Sequence, residues 1–151
     1  MLREQLNEAY KAAMKAKEQK SVGTLRLINA ALKDRDIAVR PEGRERLTDD
    51  EILEMLAKMI RQRRESITLY EQGGRLDLVQ QESDEIAVIE RFLPKQMSEA
   101  EVAAAVAAAV AETGAKGIKE MGKVMSVLKE RFAGQMDFGK ASAIVKQKLS
   151  G

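Results

Sequence analysis

The segment Gly117-Ile118-Lys119-Glu120-Met121-Gly122-Lys123-Val124-Met125-Ser126 holds the residue types and spacing that best fit binding chemistry. On a helical wheel, Ile118, Met121, Met125, Leu128 and Phe132 fall on one face, while Lys119, Gly122, Lys123 and Ser126 cluster on the opposite one. Two ammonium groups, a hydroxyl and a residue without a side chain make a surface that a phosphate or ribose can approach. A glycine at an exposed helix position costs roughly 1 kcal/mol against alanine. Two readings account for it: something outside the helix comes close to the Gly122 backbone, or Gly122 lies in the first turns or under a neighbouring helix.

Gly117, Gly122 and Lys123 also satisfy the G-x-x-x-x-G-K part of a phosphate loop, but Val124 stands where a Ser or Thr must hold magnesium. The preceding segment reads as a helix, not a strand, so the match is accidental. Glu82, Asp84, Glu85 and Glu90 are candidates for acid/base or metal chemistry, with Glu82 and Glu85 one helical turn apart. The chain has no Cys and no His, which removes thiol nucleophiles, disulfides, the common zinc ligands and the imidazole base. Any metal here would be held by oxygen alone, and solvated charges explain these carboxylates more simply. No catalytic residue, metal or cofactor is expected.

Within Gln62-Arg63-Arg64-Glu65-Ser66, Arg63 interrupts an apolar stripe and therefore needs an anionic partner. Asp77, Glu82 or Glu85 can meet it across a helical hairpin, as a structural latch.

These residues need elements to hold them, and the composition points to helices throughout. The 151 residues are 44% hydrophobic, 33% charged and only 3% aromatic, with 2 Pro; that is enough for a core and typical of helical bundles. Breaks fall at Val22-Gly23, Arg40 to Gly43, Gly73-Gly74, Leu93-Pro94, Gly114 to Gly117 and Gly134. Ile52, Met55, Leu56, Met59, Ile60, Ile67 and Tyr70 recur at helical spacing behind a capping box of Thr48 and Glu51. A second capping box, Ser98 with Glu101, opens an Ala-rich helix carrying Val102, Val106 and Val110 that ends at Thr113-Gly114. The last helix carries Phe138, Ala141, Ile144, Val145 and Leu149. The fold class is all-α, with about four helices over residues 1–94 and a smaller bundle of about three over 95–151. No strand pattern, repeat or sustained heptad is present. Nowhere do about 18 apolar residues follow one another, and Arg3, Glu4 and Glu8 interrupt any secretory run, so the expected location is cytoplasmic, away from membranes.

The net charge is +2. Residues 1–94 hold 17 basic and 18 acidic side chains, whereas residues 114–151 hold 8 basic and 3 acidic. On this division the C-terminal third is the electrostatic footprint for a polyanion.

The string Gln62-Arg63-Arg64-Glu65-Ser66-Ile67, Tyr70, Gly74-Arg75, Asp77-Leu78, Glu82, Glu85, Phe92-Leu93-Pro94 and Gln96 resembles the GatB/YqeY family. Arg26, Lys119, Met121-Gly122-Lys123-Val124-Met125 and Asp137 extend the resemblance over nearly the whole chain. It implies a C-terminal module similar to the tail domain of the B subunit of the glutamine-dependent amidotransferase that corrects misacylated Glu-tRNA or Asp-tRNA, where the tail contacts the tRNA. Carried over, the RNA-facing residues are Lys119, Gly122, Lys123, Ser126 and Lys129. The catalytic cradle of that subunit and the Ser-Ser-Lys arrangement of its glutaminase partner are both missing, so carbon-nitrogen ligase activity would belong to the association and not to this chain alone.

The resemblance thus implies a tRNA-binding or amidotransferase-associated module, with tRNA and translation-related proteins as partners. Its five aromatics offer few stacking platforms, so recognition would use shape and backbone charge. The alternative is a helical protein-interaction module docking a partner through its N-terminal part.

Overall fold

A computed structural model describes residues 1–150. Seven α-helices follow one another among them: α1 (Leu2–Lys15), α2 (Gln19–Val39), α3 (Asp49–Gln72), α4 (Leu76–Glu90), α5 (Glu99–Thr113), α6 (Met121–Phe132) and α7 (Phe138–Ser150). Short 3-10 turns occupy Arg40–Glu42 and Ile118–Glu120, and no strand occurs among the described residues. The chain is all-helical, as composition and periodicity require. It divides into two compact units, Met1–Leu93 and Pro94–Gly151.

In the first unit, α3 starts at the expected capping box: Thr48 accepts from the Glu51 N–H, and the Glu51 carboxylate accepts from the Thr48 N–H. Ile52, Met55, Leu56, Met59 and Ile60 then bury one stripe of the helix. They join Leu6, Leu25, Ile28 and Ile89 in one core. The α3–α4 hairpin packs along its length, and α2 lies against both α1 and α4. A charged clamp closes the unit near its start. Arg3 makes paired hydrogen bonds of 2.7 and 2.8 Å to Asp36 and a third of 3.1 Å to the Leu47 carbonyl, while the Leu47 N–H donates to Asp36.

One expected break is absent. Helix α2 runs straight through Val22-Gly23, because Ser21, Thr24, Leu25, Ile28 and Leu32 form a buried stripe on both sides of the glycine. Packing of that stripe outweighs the roughly 1 kcal/mol that a glycine costs in a helix. The chain turns earlier, at Lys17, whose φ of 58° is left-handed.

In the second unit, α5 opens on the Ser98–Glu101 capping box and ends at Gly114, whose φ of 69° is the left-handed conformation that glycine adopts without strain. Val106 and Ala109 of α5 meet Val124 and Leu128 of α6 and Phe138, Ala141 and Val145 of α7. The entering segment is tied to the α6–α7 loop: the Met97 N–H donates to the Gln135 carbonyl at 2.8 Å, and the Gln96 amide donates to the Gly134 carbonyl. Asp137 then accepts from the Gly139 N–H at 2.8 Å at the start of α7.

Candidate nucleic-acid interface

The segment from Gly114 to Lys129 differs from a single helix in one respect that matters. Ile118, Lys119 and Glu120 form a 3-10 turn, and α6 proper begins at Met121. Residues in such a turn advance by a larger angle than in an α-helix, so a wheel extended back from α6 misplaces them. Ile118, expected on the core face, is 48% exposed, while Val124 is fully buried in its stead. Met121, Met125 and Phe132 pack half-buried against the core as their spacing requires.

The opposite face is open. Lys119, Gly122, Lys123, Ser126 and Lys129 are all exposed. Gly122 is the second residue of α6, so its cost there is less than in a helix interior. A methyl group built on it would meet nothing within 4 Å. Close packing inside the chain therefore does not account for this glycine, and its surface is free for an approaching group. Lys129, by contrast, is engaged within the chain.

Charge at this helix start runs against the usual pattern. The positive end of a helix dipole favours acidic side chains, and α3 and α5 carry them there: Asp49, Asp50 and Glu51 in one, Glu99 and Glu101 in the other. The first turn of α6 has no acidic residue and no side-chain cap. It carries Lys123, with Lys119 just before it. Glu120 is turned away towards the preceding loop, where its carboxylate accepts from the Lys116 N–H at 3.3 Å. Lys119 and Lys123 form no ion pair with a carboxylate of the described residues. Two exposed ammonium groups thus flank the open backbone at the positive end of the helix, an arrangement that attracts phosphate.

Three of the four carboxylates that the sequence offers as a catalytic or metal cluster are engaged by a donor, and the fourth, Glu82, lies 4.0 Å from Arg63. Asp84 binds Lys20 at 3.0 Å and Gln80 at 2.8 Å; Glu90 binds Arg64 at 3.3 Å. Arg63 is largely buried; its Nε donates to Glu85 at 2.8 Å and its terminal nitrogen to the Met59 carbonyl at 3.2 Å. Asp77, which spacing also allows as a partner of Arg63, lies at the start of α4 and pairs with Arg75 at 3.1 Å instead. No group of three His, Cys, Asp or Glu suited to a metal occurs among the described residues, nor is any of their helices long and apolar enough to cross a membrane.

The family model described as Yqey-like protein matches residues 3–149. No curated protein matches the chain.

Proposed function

The chain belongs to the YqeY-like family, and from that premise we propose that it is a tRNA-binding accessory module associated with amide transfer on charged tRNA, without catalysis of its own. The observation that carries this reading is the start of α6, where Lys119, Gly122, Lys123 and Ser126 present unpaired positive charge and open backbone. Lys129 lies on the same exposed side two turns on and, being engaged already, contributes less. Such a surface recognises the sugar-phosphate backbone and its shape, not base edges.

The test is the affinity of the purified chain for bulk tRNA over a salt series, beside a Lys119→Ala, Lys123→Ala double variant. Removing one cation–phosphate pair lowers the magnitude of the salt slope by about 0.7 to 0.9. Equal binding by both proteins would defeat the assignment of the face. Amide transfer by the chain alone, with glutamine and ATP supplied, would defeat the statement that it lacks catalysis.

A second reading, a protein-interaction module, is favoured by the outer end of the α3–α4 hairpin. Leu69 and Leu76 are 66% and 72% exposed there, beyond the last buried residues of both helices. It takes precedence if tRNA does not bind.

A further inference from the structure

The near-neutral total of the first unit conceals a basic corner. Residues 9–26 carry 5 basic side chains (Lys11, Lys15, Lys17, Lys20 and Arg26) and one acidic, Glu18. We propose that this α1–α2 corner is a second surface for a phosphodiester backbone, formed by Lys17 and Arg26 beside Gly23 and by Lys11 and Lys15 in the neighbouring groove. The proposal rests on the reading of the protein as an RNA-binding module and adds a binding surface on the other unit.

Lys11 and Lys15 line one shallow groove with Glu8 and Met14; Lys17 and Arg26 line a second with Gln19, Val22 and Gly23. Met14, 44% exposed, borders both. The three lysines form no ion pair among the described residues. Lys20, at the edge of the corner, is held by Asp84.

Arg26 is positioned, yet its charge is not spent. Its Nε donates to the Tyr10 hydroxyl at 2.9 Å. That neutral partner orients the guanidinium without neutralising it, which leaves the terminal N–H groups for a planar, doubly hydrogen-bonded anion such as a phosphate. Arg3 and Arg63 are different, since each already faces a carboxylate.

Gly23 supplies the close approach. It sits inside α2, its φ is not left-handed, and a methyl group built on it would meet nothing within 4 Å. Neither backbone conformation nor packing within the chain explains a glycine at this place. The combination found at the start of α6, open helix backbone beside unpaired cations, therefore occurs again on the first unit. A polyanion with regularly spaced charges matches it, and RNA is the polyanion proposed for the other surface.

The experiment uses the full chain, bulk tRNA and a salt series, with four variants: Lys11→Ala/Lys15→Ala/Lys17→Ala, Arg26→Lys, Gly23→Ala and Lys119→Ala/Lys123→Ala. The triple variant is expected to lower the magnitude of the salt slope by roughly 2, at about 0.7 to 0.9 for every cation–phosphate pair removed. Arg26→Lys keeps the charge and loses the planar fork, so it weakens binding with the slope nearly unchanged. Gly23→Ala raises the melting temperature and weakens binding, a pair of effects that damage to the fold does not produce. If the triple variant does not fold, Arg26→Lys and Gly23→Ala decide alone. Wild-type binding by the first three variants, with weakening by the fourth, overturns the corner and leaves the α6 face standing. Weakening by the first three alone supports the corner and removes the α6 face. No tRNA binding by the wild type overturns both. If the first three variants stop binding anionic phosphatidylserine vesicles while tRNA binding stays intact, the RNA assignment is overturned in favour of a lipid surface.

Discussion

Arg63 on α3 reaches Glu85 on α4 at 2.8 Å, with Glu82 a turn earlier at 4.0 Å, so one half-buried cation holds two carboxylates across the helical hairpin. Its side chain is 14% exposed. The contact lies just outside the last fully packed residues, Ile60 on α3 and Ile86 on α4. Beyond it the hairpin has no buried side chain, so this latch is the innermost tie of its outer half.

Removing the cation should therefore cost more than removing a surface ion pair does. In Arg63→Ala, two carboxylates stay half-buried without compensation, and the destabilisation should be about 2 kcal/mol, below the 3–5 of a fully buried pair because water reaches the site. Chemical denaturation measures it. Amide exchange in α3 and α4 should quicken most between residues 64 and 80. A value like that of an exposed pair, under about 1 kcal/mol, would show the latch to be unimportant.

Glu82 has the opposite character. Burial first, then the neighbouring charge of Glu85, pushes its carboxyl above the ordinary value, and Arg63 offsets this only in part. An acid that binds its proton more tightly when folded opposes folding while ionised, so stability gained through Glu82 rises as the pH falls through its folded value. Glu82→Gln should be as stable as the parent or more so at pH 7 and should lose that acid-side gain. Urea melts at pH 7 and pH 5 compare the two proteins, and a destabilised variant at pH 7 would contradict this account.

How far the residues announced these relationships depended on whether local geometry was regular. The Thr48–Glu51 and Ser98–Glu101 caps and the left-handed Gly114 were readable because each rests on interactions within a few residues. Arg63 was readable because a cation on an apolar stripe demands a partner, although spacing alone left Asp77 and Glu85 equivalent. Regular spacing misplaces Ile118 and Gly23 for physical reasons. The first sits in a 3-10 turn that a uniform wheel does not describe, and the second lies in a helix held by packing on both sides. The near-neutral charge of residues 1–94 conceals the basic corner at Lys11 to Arg26, since most of the acidic side chains that balance it lie elsewhere in the sequence of the unit.

Acid should act on the Arg3–Asp36 clamp in the reverse sense to Glu82. Hydrogen bonds from Arg3 hold the Asp36 carboxyl below its ordinary value, and those from Arg44 and Thr48 hold Glu51 down to about 2. Acids depressed in this way stabilise the fold fully above their unfolded values, near 4, and lose that contribution as the pH falls towards 2. Asp36→Asn should cost about 1–2 kcal/mol at pH 7, because it leaves Arg3 and the Leu47 N–H poorly matched. Its stability should also fall less between pH 4 and pH 2 than that of the parent. Equal acid profiles would mean that Asp36 is not the group responsible.

Lys17 carries a conformational cost that a glycine would remove. Its φ of 58° places a β-carbon in the left-handed region, where an ordinary residue loses about 1 kcal/mol. Lys17→Gly should raise stability by roughly 0.5 kcal/mol after the greater entropy of the unfolded glycine is deducted. The same change deletes one cation of the basic corner, so tRNA binding should weaken as stability rises. Parallel thermal melts and binding titrations would separate this from a purely structural role, in which binding stays constant.

Two glycines of the second unit should respond to alanine with opposite signs. Gly114 ends α5 at a φ of 69°, so an alanine there meets backbone strain and should destabilise by about 1 kcal/mol. Gly122 lies in the first turn of α6 with open space where a methyl would go, so Gly122→Ala should be neutral or stabilising by up to about 0.5 kcal/mol. If the open backbone at Gly122 serves a ligand, only that second variant should bind tRNA more weakly while folding at least as well. Gly114→Ala, measured below its lowered melting temperature, should bind as the parent does. Weakened binding by both in proportion to stability would mean that tRNA binding follows the integrity of the bundle, and Gly122 would then have no role of its own.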